Sequence, residues 1–219
     1  MTIECYGHPF SSYCQKALIA LYENDTPFKW RVISPDNAEV STQFAALWPI
    51  KRFPLLVDGP RAMMKASIII EYLDTHHPGP ARLIPTDVQP ALDARLMDRI
   101  FDNYISTPQQ KIVFNALRSE ADRDPHGVTQ ARHMLDSAYV WLDQAMAGRQ
   151  WAAGDHFSLA DCSAAPALFY ADWTHPIPET HVHLKAYRAR MLARPSFARA
   201  VDAARPYRAC FPLGAPDRD

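Results

Sequence analysis

Ser11, Ser12 and Cys14 are the residues near the start of the chain whose types and spacing could do chemistry. They stand in the stretch HPFSSYCQK, His8 to Lys16. A short β-prone run, Ile3 to Tyr6, precedes it, and a longer apolar run, Ala17 to Tyr22, follows it. Two hydroxyls at a strand-to-helix junction can play different parts. One can cap the helix by accepting a hydrogen bond from an orphan N–H of the first turn. The other can sit at the positive end of the helix dipole, where anions and thiolates are stabilised. Ser12-Tyr13-Cys14-Gln15 fits a capping box, in which serine accepts from the third helical N–H and glutamine reaches back. The pattern predicts Ser12 as the N-cap. Ser11 is then free of the cap, as a reactive hydroxyl or as a solvated turn residue.

The elements that must position these residues are readable from periodicity. In the first 77 residues strand and helix signals alternate. Tyr13 to Glu23 carries Ala17, Leu18, Leu21 and Tyr22 at helical spacing. FKWRVI (28–33) alternates as a half-buried strand does. FPLLVDG (53–59) reads as a strand and turn, RAMM as its hairpin partner, and SIIIEYLDTHH as a helix stopped by Pro78-Gly79. The order is βαβ, then ββα. Pro78, Pro80, Pro85 and Pro90 mark residues 80–90 as a linker. Helical patterns follow over Ala91 to Arg118, Val128 to Met146, Leu159 to Asp172, Val182 to Ala193 and Ser196 to Ala204. Pro166 predicts a kink or a tighter segment in the third of these. The fold class is α/β plus all-α, with domains at 1–79 and 91–219.

Composition narrows the function. The 219 residues are 48% hydrophobic with a formal net charge of -1, so no basic face for nucleic acid is implied. No apolar run reaches the roughly 18 residues that span a bilayer. No signal peptide is visible, and four scattered cysteines suggest neither disulfides nor zinc, so a cytoplasmic location is expected. His175, His181 and His183 lie in a Pro-rich loop without a partner acid or cysteine constellation and read as surface histidines, with no metal.

The first half resembles the thioredoxin-like domain of the glutathione transferase family, and the second half resembles its all-helical domain. The likeness rests on YGHPFSSYCQKALIAL, WPIKRFPLLVDG and SIIIEYLDTHHPG, then on LDQAMAGRQWAAGDHFSLADCSAAPAL and YRARMLARPSFARA. It implies a homodimeric enzyme in which Ser11 donates a hydrogen bond to the glutathione sulfur, favouring thiolate over thiol. A free thiol has a pKa of about 8.5, and each unit of lowering is worth about 1.36 kcal/mol. Cys14 is expected to pack against the sheet.

The resemblance further implies that Phe53-Pro54 is a cis-proline turn whose Phe53 backbone pairs with the cysteinyl part of glutathione. Ser12 would line the same site, and Lys51 and Arg52 would meet the glycyl carboxylate. At the γ-glutamyl end the sequence departs from the family. Glu or Gln followed by Ser is replaced by Lys65-Ala66, with a hydroxyl one residue late at Ser67, itself a possible N-cap. A pocket for a hydrophobic electrophile is expected from Phe10, Ile100, Phe101, Tyr104 and Pro108. Asp98 and Asp102 stand about where some members place an acid that reaches the partner's glutathione amine. FSLAD (157–161) is a capping box with Phe157 as its staple, a folding element. Glutathione transfer to a hydrophobic electrophile is the first reading. A non-catalytic binding or regulatory protein like the stringent starvation protein is the second, and a glutathione-dependent isomerase the third.

Overall fold

The computed structural model describes residues 2–219. Strand β1 (Ile3–Gly7) runs through the middle of a four-stranded mixed sheet of order β2-β1-β3-β4. It pairs in parallel with β2 (Phe28–Val32) and antiparallel with β3 (Leu55–Asp58), which pairs in turn with β4 (Arg61–Met64). Successive side chains of a strand point to opposite faces. Ile3 and Cys5 accordingly join the core under α1 (Ser12–Glu23) and α3 (Ala66–His76), whereas Tyr6 packs with Leu55 against α2 (Ala38–Leu47). Helix α2 is absent from the sequence reading because it buries only Val40 and Phe44, too few for an amphipathic stripe.

The helical half begins with α4 (Val88–Ile100) and α5 (Thr107–Ala116), joined without a break by a π-helical stretch, Phe101–Ser106. The expected helix from Ala91 therefore starts three residues earlier. Pro90 lies in the first turn, where its missing N–H breaks no intrahelical bond. Next come α6 (Pro125–Met146), α7 (Leu159–Thr174), α8 (Val182–Leu192) and α9 (Pro195–Ala204), and a 3-10 segment, Arg205–Cys210. Helix α6 starts before Val128 because Asp124 caps it, accepting from Gly127 N–H at 2.7 Å, with Pro125 as first residue. Helix α7 is α-helical throughout, across Pro166, and every residue of it is buried. It packs on α1, α4, α5 and α8 and joins the two halves in one hydrophobic core. At its start Ser158 and Asp161 form the expected capping box. Asp161 also takes Ala152 N–H at 2.9 Å and the Tyr187 hydroxyl at 2.6 Å. Among the described residues no helix is long and apolar enough to cross a membrane.

Candidate functional site

Strand register gathers the candidate residues at one end of the sheet. Tyr6 is paired with Leu55, and Leu55 with Met64. One residue beyond each pair lie Gly7, Pro54 and Lys65, so the loop carrying Ser11, the Phe53-Pro54 turn and the start of α3 share an edge. The Phe53–Pro54 bond is cis, as the family resemblance implied. Phe53 is exposed and Pro54 buried, while Lys51 and Arg52 are exposed just before them. A Cβ at Gly7 would collide with the Cys14 sulfur and come within 2.9 Å of the Trp30 ring, so the strand end needs glycine there.

The roles of the two serines are the reverse of the expected capping pattern. Ser11, with φ -89° and ψ 123°, is the N-cap of α1, and its Oγ accepts from Cys14 N–H at 3.3 Å. Its own N–H bonds His8 O at 3.0 Å, a tight turn that holds Ser11 outside the helix. Ser12 is the first helical residue. The Ser12–Gln15 box does not form because the cap lies one residue earlier, at Ser11, and the Gln15 amide points elsewhere: its Nε2 donates to Pro9 O and to the Tyr170 hydroxyl, both at 3.0 Å. A cap uses one lone pair of the serine oxygen and leaves the O–H available. Ser11 thus combines the cap with a donor at the positive end of α1, whose first turn holds no acidic residue to offset the dipole. Cys14 is fully buried, and burial pushes its thiol up to about 12, against smaller lowering by Ser11 and the His8 backbone. It is a packed thiol at neutral pH, as expected.

At the other side of the edge, Lys65 is exposed with φ at 71° and precedes α3 without a side-chain cap, and Ala66 is buried. Ser67 is not the N-cap. It faces inward and has used its whole hydrogen-bonding capacity. Its hydroxyl donates to Asp98 Oδ1 at 3.2 Å and accepts from Lys16 Nζ at 2.9 Å and from Arg99. Lys16, 1% exposed, also meets Asp98 Oδ1 at 2.5 Å and Asp102 Oδ1 at 3.0 Å. Arg99 completes the group, with Asp102 Oδ2 at 2.7 Å. Two cations and two carboxylates cancel beneath α1. Asp98 and Asp102 are therefore committed within their own chain, contrary to the expectation that one would reach a partner's ligand.

The expected electrophile-pocket residues are dispersed in environment. Tyr104 is exposed, Ile100 half-buried, Pro108 buried, and Phe101 fully buried core. Phe10, next to Ser11, stacks instead on α7, with ring centres 5.4 Å from Tyr170 and 6.4 Å from Trp173. Sequence reasoning placed neither aromatic at the site, although their spacing of three on a helix put them on one face. A hollow of about 220 Å³ lined by Tyr22, Asp25, Phe28 and Arg199 lies at the far end of α1 from Ser11. His175 is paired with Asp136, Nε2 to Oδ1, at 2.6 Å.

This sheet, this helical array and this serine-bearing strand–helix junction match two halves of one family. Residues 6–81 match the glutathione S-transferase N-terminal domain and residues 125–190 the C-terminal domain. The chain belongs to the glutathione S-transferase family. Its relatives differ in role. A stringent starvation protein A homolog of Haemophilus ducreyi is 27% identical over 204 residues, covering 89% of this chain and 87% of the relative. A probable maleylacetoacetate isomerase of Vibrio cholerae is 26% identical over 209 residues, covering 92% and 96%. Among solved structures, a glutathione S-transferase of Methylobacterium radiotolerans in complex with glutathione sulfonate superposes with a TM-score of 0.78 at 27% identity, covering 92% of this chain and 95% of that one.

Proposed function

We propose that the protein is a serine-type glutathione transferase that holds the glutathione thiolate at Ser11 and adds it to a hydrophobic electrophile. The observation that carries this reading is the Ser11 hydroxyl, placed as the cap of α1 at the dipole's positive end. In the proposed complex, residues 1–79 bind glutathione, the stretch before α4 links, and the helical half from α4 onward carries the electrophile side. The Phe53 backbone beside Pro54 meets the cysteinyl part, Lys51 and Arg52 the glycyl carboxylate, and Lys65 with the Ala66 N–H the γ-glutamyl end. A homodimer is part of the reading. On α4, Val88, Leu92 and Leu96 are exposed at a spacing of four, and Ile68 on α3 is exposed too. A cytoplasmic setting is consistent with the buried free thiols Cys5, Cys14 and Cys162.

Glutathione binding is expected to be weak. A hydroxyl-to-carboxylate bond contributes about 1.5–3 kcal/mol, against at most about 1 kcal/mol for an exposed lysine pair. Ser67 cannot substitute, since its hydrogen bonds are all spent inside the chain. The deficit corresponds to about tenfold in affinity. Calorimetric titration of glutathione tests this, with Lys65→Glu plus Ala66→Ser expected to tighten binding. Low-micromolar binding by the unaltered chain, weakened in the double variant, would overturn the account. The regulatory alternative is favoured by Lys65-Ala66, and a chain that binds no glutathione at all would decide for it.

A further inference from the structure

The segment that follows α9 folds back over the residues next to Ser11. Tyr207 stacks edge-on against His8 at 4.5 Å between ring centres, and Phe211 meets Trp173 at 5.5 Å. Arg208 lies over the Trp173 ring at 4.8 Å. Beneath this roof is a slot with Phe10, Tyr170 and Trp173 as its aromatic wall and Arg205, Arg208 and Asp219 at its rim. Its free volume, about 10 Å³, holds no more than a water molecule. Any organic ligand must lift the roof to enter.

The roof is held by the buried Phe211 ring, by Arg208 bonds to the Pro216 and Arg218 carbonyls, and by charge. The Asp219 carboxylate sits between two guanidinium groups, with Oδ1 3.1 Å from Arg205 Nη1 and 3.2 Å from Arg208 Nη1. Arg218 pairs with Asp172 farther along. The Arg205 side chain is about half exposed, and ion pairs so exposed hold weakly. In the wall, Trp173 Nε1 is a buried donor with no hydrogen-bond partner among the described residues. Buried polar atoms are as a rule satisfied. An aromatic wall, an unpartnered donor and an arginine pair already gripping a carboxylate together describe one kind of ligand.

We infer that the slot takes a planar hydrophobic carboxylate, which displaces Asp219 from Arg205 and Arg208 and lifts the Arg205–Asp219 segment. Naming this ligand as the electrophile's class rests on the transferase reading; the binding itself does not. The 219-residue chain without glutathione is titrated calorimetrically with 2-naphthoate and with 2-naphthamide, which share a ring and differ in charge. The acid is expected to bind about fivefold to tenfold more tightly, the range of a charged hydrogen-bonded contact at a partly exposed site. Asp219→Ala removes the competing carboxylate and should tighten naphthoate severalfold while leaving naphthamide unmoved. Arg208→Gln should erase the preference. Equal binding of acid and amide, no binding of either, or equal tightening of both in Asp219→Ala overturns the inference. Naphthoate binding as described in a chain that binds no glutathione counts against the transferase reading alone.

Discussion

At the scale of the residue, the chemistry turns on one oxygen. Because Ser11 is both cap and donor, Ser11→Ala should cost about 0.5–2 kcal/mol of stability along with thiol activation, whereas Ser12→Ala should cost little of either. Ser11→Asp separates the functions. It can still cap α1, but it has no O–H and carries a charge that repels a thiolate. Its melting temperature should stay near that of the unaltered chain while the ultraviolet absorbance of bound thiolate is lost; thiolate retained in Ser11→Asp would remove Ser11 from the mechanism. His8 offers a second reading at this scale. Burial lowers its pKa below the ordinary 6.5, and its Nδ1 accepts from Phe10 N–H at 3.2 Å. Below pH 6.5 the unfolded chain takes up this proton before the folded one does, so stability falls with pH until the folded pKa is passed and then levels. Melting temperatures should drop more between about pH 7.5 and about pH 5.5 for the unaltered chain than for His8→Gln. An equal drop in the two would show that the ring titrates freely.

At the scale of the element, the cluster of Lys16, Ser67, Asp98, Arg99 and Asp102 ties α1, the start of α3, α4 and the π-helical stretch together. Removing one partner leaves a buried charge uncompensated, which typically costs about 3–5 kcal/mol. Lys16→Met should lower the urea midpoint accordingly, and a loss under about 1 kcal/mol would mean the carboxylates find water instead. This cluster also marks the limit of what the sequence reveals. The strands, the helices with clear stripes and the Ser158–Asp161 box are local patterns and were legible, whereas the cis-proline turn was expected only from the family resemblance. The Gln15 side chain was not, because its choice of Pro9 and Tyr170 over Ser12 depends on a helix far along the chain. Ser67 was misread for the same reason: a hydroxyl after a turn looks like a cap until a buried lysine claims it. A six-residue π-helical run leaves no signature in a 3.6-residue period, and the one seen here carries Asp102 into the charge cluster.

At the scale of the whole molecule, the exposed row Val88, Leu92 and Leu96 on α4 is the largest regular apolar face left uncovered on that helix. Burying a leucine fully is worth about 1.5–3 kcal/mol, so two of them can decide an association. Sedimentation should show a dimer for the unaltered chain and a monomer for Leu92→Glu with Leu96→Glu. A monomer in both cases at micromolar concentration would leave this face to another partner.

Helix α7 has one more consequence. A helix with a wet face can form on its own account and dock later, but a helix buried on all sides has nowhere to stand until its neighbours arrive. Its neighbours come from both ends of the chain, α1 from the sheet half and α4, α5 and α8 from the helical half. The two halves therefore cannot melt separately, and unfolding should be one cooperative event rather than two. Far- and near-ultraviolet circular dichroism should trace a single superimposable transition, with the sheet half losing its order at the same denaturant concentration as the helices. Two resolved steps would show that the halves stand apart without this shared spindle.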